Sequence, residues 1–237
     1  MVMAEATKEE IRTKPAEKAY DIVALGNKYG TDKGKHRYLE HYQTHLGGLR
    51  DEEFNLLEIG IYQGASLRMF RDYFHKARIV GLDIKEVDLS AERRITTYQG
   101  SQADPAVLQK INSEVGPFQV VIDDGSHRMQ HVRKSFEILF PLLEDGGWYV
   151  IEDLSTSYWE RYGGGIPGKK GTAIGMIKQL IDGINWDSWL AQNDRPSYTD
   201  AWVSSIHLYH NICFLQKSAN PGHRSDFAVG SMRFRDN

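Results

Sequence analysis

An α/β fold is predicted: Rossmann-like and doubly wound, with a mostly parallel sheet that ends in an antiparallel hairpin. Three observations predict it. Short aliphatic runs alternate with helical periods from residue 55 onward. Each of these runs carries a carboxylate at or near its end. Two β-like runs then follow one another late in the chain.

The elements follow in order. Residues 1–15 are polar and read as a flexible N-terminal arm. Ala16 to Leu25 has the makings of a short helix, and Tyr38 to about Leu46 of a second, stopped by Gly47-Gly48. Between them lies the polar cluster Lys28-Tyr29-Gly30-Thr31-Asp32-Lys33-Gly34-Lys35, whose glycines mark a loop. These helices, over about 16–50, form an expected cap on a single domain spanning 16–237. The aliphatic runs are Leu56-Leu57-Glu58-Ile59, Ile79 to Asp83, Val120 to Asp123 and Trp148 to Ile151. Continuous apolar runs of this length suit strands buried on both faces. Helical periods fall between them at roughly 66–75, 105–115 and 127–143, which is the β-α-β rhythm of a parallel sheet. A glycine-rich loop at 162–171 precedes a helix at about 172–184. Val203 to Tyr209 and Ile212 to Gln216 then make the hairpin, turned at His210-Asn211.

Composition excludes several classes. The chain has 237 residues, 41% of them apolar and 26% charged, so it can bury a core without staples. A net charge of −3 and a pI near 6.3 argue against a nucleic-acid binder. The single cysteine, Cys213, rules out a disulfide framework and a cysteine-based zinc cluster. No run reaches the roughly 18 apolar residues of a membrane span. The polar N-terminus lacks the apolar stretch of a signal peptide, and a cytoplasmic location is expected.

The strand-end residues point to a nucleoside ligand. Glu58-Ile59-Gly60-Ile61-Tyr62-Gln63-Gly64-Ala65-Ser66 places two glycines where backbone turns tightly and approaches a ligand. Ser66 is positioned to cap the next helix. The spacing is not that of a pyrophosphate loop. Asp83 lies 23 residues beyond Gly60, where an acidic residue grips ribose hydroxyls in doubly wound sites. Two strands end in the acidic pairs Asp123-Asp124 and Glu152-Asp153. Like charges that close require a shifted pKa or a cation, and an all-oxygen set suits Mg²⁺, with Mn²⁺ or Ca²⁺ as alternatives. His127 and His131 stand one helical turn apart, yet no third soft ligand accompanies them for zinc.

These residues also carry a resemblance. LLEIGIYQGAS, VGLDI, VVIDDGSH and GGWYVIEDL resemble a class I S-adenosylmethionine-dependent methyltransferase. More narrowly, DDGSHxxxHxxxSFxxLFPxLxxGGxYVIEDLxTSYW is similar to the metal-dependent sugar O-methyltransferases that tailor macrolide antibiotics. The similarity covers roughly residues 25–217, and its DDGSH and IEDL blocks are the specific parts. It implies that Glu58, Gly60, Tyr62, Gln63 and Gly64 line the methionine and ribose of the cofactor, with Ser66 just beyond and Asp83 on the ribose. Ser101 and Gln102 face the adenine, Asp123 lies at the methionine end, and Thr31 closes over the ligand. Asp124, Glu152 and Asp153 match the metal ligands and His127 the general base, taking a proton from a hydroxyl acidified by the metal. His131, Tyr158 and Trp159 would face the acceptor. The family's larger members carry a further N-terminal domain, for which this chain has no room.

The implied activity is methyl transfer from S-adenosylmethionine to a hydroxyl, on a sugar of a natural-product glycoside. A homo-oligomer is in keeping with the family, and neither a nucleic acid nor a membrane is an expected partner. Two other readings remain open at this level: metal-dependent methylation of a phenol or catechol, and an NAD-dependent oxidoreductase on the same sheet. A non-catalytic nucleoside-binding module would leave the acidic pairs and His127 without a use.

Overall fold

The structure is a computed structural model, and it describes residues 21–191, 194–220, 222, 229–232 and 234. The expected arm at 1–15, and the start of the helix expected from Ala16, lie outside the described residues.

Seven strands form one sheet: β1 (Asn55–Ile59), β2 (Arg78–Asp83), β3 (Ile95–Gln99), β4 (Phe118–Asp123), β5 (Leu143–Ile151), β6 (Val203–Tyr209) and β7 (Ile212–Lys217). Their spatial order is β3-β2-β1-β4-β5-β7-β6. The first five run parallel, and β7 pairs antiparallel with both β5 and β6. The predicted doubly wound sheet with its closing hairpin is therefore what the chain forms. Strand order reverses between β1 and β4, so a crevice opens at the carboxyl ends of those two strands, where such sheets bind ligands.

Side chains alternate across the sheet. Leu57, Val121, Tyr149 and Leu215 pack on one face with α4 (Pro105–Val115), α5 (Met129–Leu139) and α6 (Ala173–Ile184). Leu56, Val120, Val150 and Phe214 pack on the other with α1 (Ile22–Tyr29), α2 (Tyr38–Leu46) and α3 (Ala65–Tyr73). Two short helices, α7 (Trp186–Trp189) and α8 (Tyr198–Trp202), precede the hairpin. Among the described residues, no helix is long and apolar enough to cross a membrane.

Three local expectations are corrected. The helix expected over 127–143 is shorter, because His127 adopts a left-handed φ of 55° ahead of it and Pro141 sits in a 3-10 turn after it. Residues from Leu143 are already extended. Strand β3, Ile-Thr-Thr-Tyr-Gln, escaped the reading of aliphatic runs because its middle residues are only half-buried at the sheet edge. Ser66 is not the helix cap: Gly64, at φ 78°, holds that position, and Ser66 Oγ instead donates to Glu58 Oε2 at 2.6 Å.

Candidate active site

The crevice contains two adjoining pockets. The larger, about 640 Å³, is lined by Thr31, Gly60, Tyr62, Gln63, Ser66, Asp83, Asp124, His127 and Asp153, among others. The smaller, about 370 Å³, is lined by Gly60, Leu82, Asp83, Ile84, Ser101, Gln102, Ser126, Arg128 and His131. Gly60 and Asp83 belong to both.

The glycine loop is tight because of the protein's own backbone. Gly60 has φ 84°, and a Cβ there would lie 2.1 Å from the carbonyl oxygen of Asp124. Asp83 stabilises the loop from beside it, its Oδ2 accepting from the amides of Ile61 at 3.0 Å and Tyr62 at 3.1 Å. Tyr62 itself projects into solvent at the cleft mouth, 81% exposed.

Beneath the smaller pocket runs a buried polar chain. Gln102 Oε1 accepts from the Ser126 amide at 2.6 Å, and Gln102 Nε2 donates to Asp123 Oδ1 at 2.9 Å. Ser135 and Tyr149 donate to the other carboxylate oxygen of Asp123. Burial pushes the Asp123 carboxyl up to about 6, against the pull of those donors. Asp123 thus supports the pocket floor through Gln102 and does not line either pocket. His131, expected to face the acceptor, lines the smaller pocket, its Nδ1 2.9 Å from Ser126 Oγ.

The acidic pairs meet at the larger pocket. Asp124, His127 and Asp153 bring one ligand atom each within 4.8 Å of one another, and His127 Nε2 lies 3.6 Å from Asp153 Oδ2. The two carboxylates, each partly accessible, fit a hard divalent cation that keeps several waters, with the His127 imidazole beside it. Glu152 is not one of these three. Its carboxylate is buried against Lys33 Nζ, at 2.8 and 2.9 Å, and accepts from Tyr42 OH.

Lys33 is the residue that sequence reasoning passed over. A lysine between glycines reads as solvated, yet this one is 1% exposed. Its ammonium lies 2.7 Å from Asp124 Oδ2 and 3.1 Å from Glu58 Oε1, besides Glu152. Burial alone would lower its pKa; the carboxylates of Asp124, Glu152 and Glu58 outweigh burial and hold it well above the ordinary value. Burial raises the Glu152 and Glu58 carboxyls, and the neighbouring Asp124 charge adds to that. One ammonium cannot neutralise so many acids. Glu58 therefore lies under the pocket as part of this charge cluster.

An aromatic cluster stands next to His127. Tyr158 and Trp159 are both about half exposed. Arg161 lies over both Trp159 and Tyr162, 5.0 and 4.9 Å from their ring centroids, and the two rings contact each other at 5.9 Å. Tyr162 presents an edge-on contact to the His127 ring at 6.0 Å. Tyr158 instead lines a separate pocket of about 320 Å³ with Ile166 and Lys169.

A parallel sheet closed by this hairpin, with a glycine loop after β1 and an acid ending β2, defines a class I methyltransferase fold. The chain belongs to the rhamnosyl O-methyltransferase/CmcI family, whose family model matches residues 42–161. It is 43% identical over 212 residues to demethylmacrocin O-methyltransferase of Streptomyces fradiae, covering 84% of this chain and 54% of that one. It is 40% identical over 212 residues to mycinamicin VI 2''-O-methyltransferase of Micromonospora griseorubida, covering 84% of this chain and 53% of that one. Among solved structures, the MycE methyltransferase of the mycinamycin biosynthetic pathway, in complex with Mg and SAH, matches with a TM-score of 0.82 at 38% identity. That match covers 92% of this chain and 58% of the other. The chain spans about half the length of the curated relatives it matches.

Proposed function

We propose that this chain is a divalent-metal-dependent O-methyltransferase that moves the methyl of S-adenosylmethionine to a sugar hydroxyl of a natural-product glycoside. The observation that carries the reading is the excess of acids over cations in the cleft. The Lys33 ammonium contacts Glu58, Asp124 and Glu152, and Asp153 lies beside Asp124 at the same end of the sheet, so acids outnumber cations there. A divalent cation and a sulfonium both suit a cleft of that sign. A nicotinamide dinucleotide would add negative phosphates to the same place.

The adenosine moiety fits the pocket of Ser101, Gln102 and His131, with Asp83 at the ribose between the two pockets. The methionine end fits the larger pocket beside Gly60, Tyr62, Gln63 and Ser66, under Thr31. Asp124 and Asp153 would hold the ion, and Glu152 adds its charge from behind them. When bound, the ion polarises the acceptor hydroxyl as a Lewis acid, and the cofactor supplies the methyl. His127 Nε2 takes the hydroxyl proton, and Asp153 Oδ2 at 3.6 Å favours the positive charge the ring then carries. Trp159, Arg161 and Tyr162 offer flat faces to the glycoside. The protein's remaining contribution is to hold the nucleophile in line with the methyl.

The relatives support the acceptor class. Three of them are demethylmacrocin O-methyltransferase, 8-demethyl-8-alpha-L-rhamnosyl tetracenomycin-C 2'-O-methyltransferase and mycinamicin VI 2''-O-methyltransferase, and one MycE structure is in complex with Mg, SAH and mycinamycin VI. Calorimetric titration with S-adenosylhomocysteine and with NADH, each with Mg²⁺ and with EDTA, tests the cofactor reading. Binding of S-adenosylhomocysteine and not NADH is expected; binding of NADH alone would overturn it.

A further inference from the structure

Asp153 has an unusual backbone. Its φ is 54° and ψ 40°, a left-handed conformation that costs a non-glycine residue energy unless its surroundings fix it. Those surroundings come from two distant elements. Tyr38, the first residue of α2, is 1% exposed, and its hydroxyl donates to Asp153 Oδ1 at 2.8 Å. Asn211, at the tip of the β6–β7 hairpin, donates from Nδ2 to the same Asp153 oxygen at 3.1 Å and to Tyr38 OH at 2.6 Å. The Asn211 side-chain oxygen accepts from the Ser155 amide at 2.6 Å, and its backbone oxygen accepts from the Leu154 amide at 3.1 Å. Asn211 is itself left-handed, at φ 68°.

We propose that Tyr38 and Asn211 are positioning residues for the metal site: together they fix one oxygen of Asp153 so that the other, Oδ2, faces His127 and the ion. This rests on the metal-dependent reading above. The donor arithmetic is complete. The phenol has one proton and gives it to Asp153 at 2.8 Å, the nearer of its two acceptors, the Asn211 carbonyl oxygen lying at 3.3 Å. The amide has two, and they go to Asp153 and to the phenol oxygen. Oδ1 thereby receives two donors, while Oδ2 receives none from this pair. An aspartate so held cannot rotate its carboxylate away from the cleft without breaking both bonds. Partners that orient a ligating carboxylate from behind typically change metal affinity about 10–100-fold when removed.

Two variants separate positioning from folding. Asn211→Gly keeps the left-handed turn at no steric cost and deletes the amide. Tyr38→Phe deletes one hydroxyl and keeps the ring. Mn²⁺ binding is read by electron paramagnetic resonance. S-adenosylhomocysteine binding is read by calorimetry in EDTA, and the thermal midpoint is recorded. Each variant is expected to bind Mn²⁺ about 10–100-fold more weakly with S-adenosylhomocysteine affinity unchanged. Unchanged Mn²⁺ affinity in both variants, with the parent protein binding Mn²⁺ normally, overturns the inference alone. Loss of both ligands in parallel with a lowered thermal midpoint in both variants also overturns it, since that is general damage. A parent protein that binds no Mn²⁺ overturns the metal reading and the inference with it.

Discussion

The ammonium of Lys33 lies 2.8 Å from Glu152 Oε1 and 2.9 Å from Oε2, and both side chains are buried. This ties the loop that carries Thr31 to the end of β5. The loop and the acidic cluster therefore form one unit, which is why Thr31 and the carboxylates of the larger pocket come already assembled.

Lys33→Met leaves three buried or half-buried carboxylates without their common cation. Breaking a buried ion pair from one side typically costs about 3–5 kcal/mol. A loss of that order is expected in urea unfolding. The double variant Lys33→Met/Glu152→Gln removes both members of the pair and should regain much of it. A single variant as stable as the parent would show that Lys33 does not hold the cluster.

His127→Ala should lower turnover by about 10²–10⁴-fold, the usual contribution of a positioned general base. S-adenosylhomocysteine affinity should change little, because the pocket proposed for the adenosine is lined by Ser101, Gln102 and His131, not by His127. Single-turnover kinetics with saturating cofactor separates the two. Near-parental turnover would remove His127 from the chemistry.

His45 gives the protein a separable pH response. Its ring packs among Trp148, His207, Tyr209 and Phe214. Burial, with His207 and His41 nearby, lowers its pKa from the ordinary 6.5 to about 4. The unfolded chain then binds this proton first, so the stability the neutral ring contributes is lost as pH falls from about 6.5 to about 4. Asp123, raised to about 6, acts oppositely, since the folded state takes its proton first. The difference between the parent and His45→Gln isolates the histidine. The variant should lose less stability on acidification over that window, by denaturant titration at each pH. Parallel curves would contradict the assignment.

What was legible in the sequence followed from local pattern. The strands β1, β2, β4 and the end of β5 announce themselves as aliphatic runs, and the acidic pairs at their ends lie at one edge of the sheet because parallel strands share a direction. Asp124, His127 and Asp153 come together, whereas Glu152, expected with them, pairs with Lys33. The supporting residues were hidden for a physical reason. Lys33 meets Asp124 and Glu152 across 91 and 119 residues of chain, and Tyr38 meets Asn211 across 173. No periodicity encodes such contacts. A lysine in a glycine loop and an asparagine in a hairpin turn both have ordinary local explanations. The same holds for Asp123: an acid at a strand end looks like a ligand contact, and only the fold shows Ser135, Gln102 and Tyr149 using its oxygens.

The most direct measurement is methyl transfer itself. The protein is incubated with methyl-labelled S-adenosylmethionine and a macrolide glycoside bearing a free sugar hydroxyl, with catechol as a parallel acceptor, in Mg²⁺ and in EDTA. The account predicts label on the sugar in Mg²⁺, none in EDTA, and little on catechol. Transfer that persists in EDTA, or that goes to catechol in preference to the sugar, would contradict it.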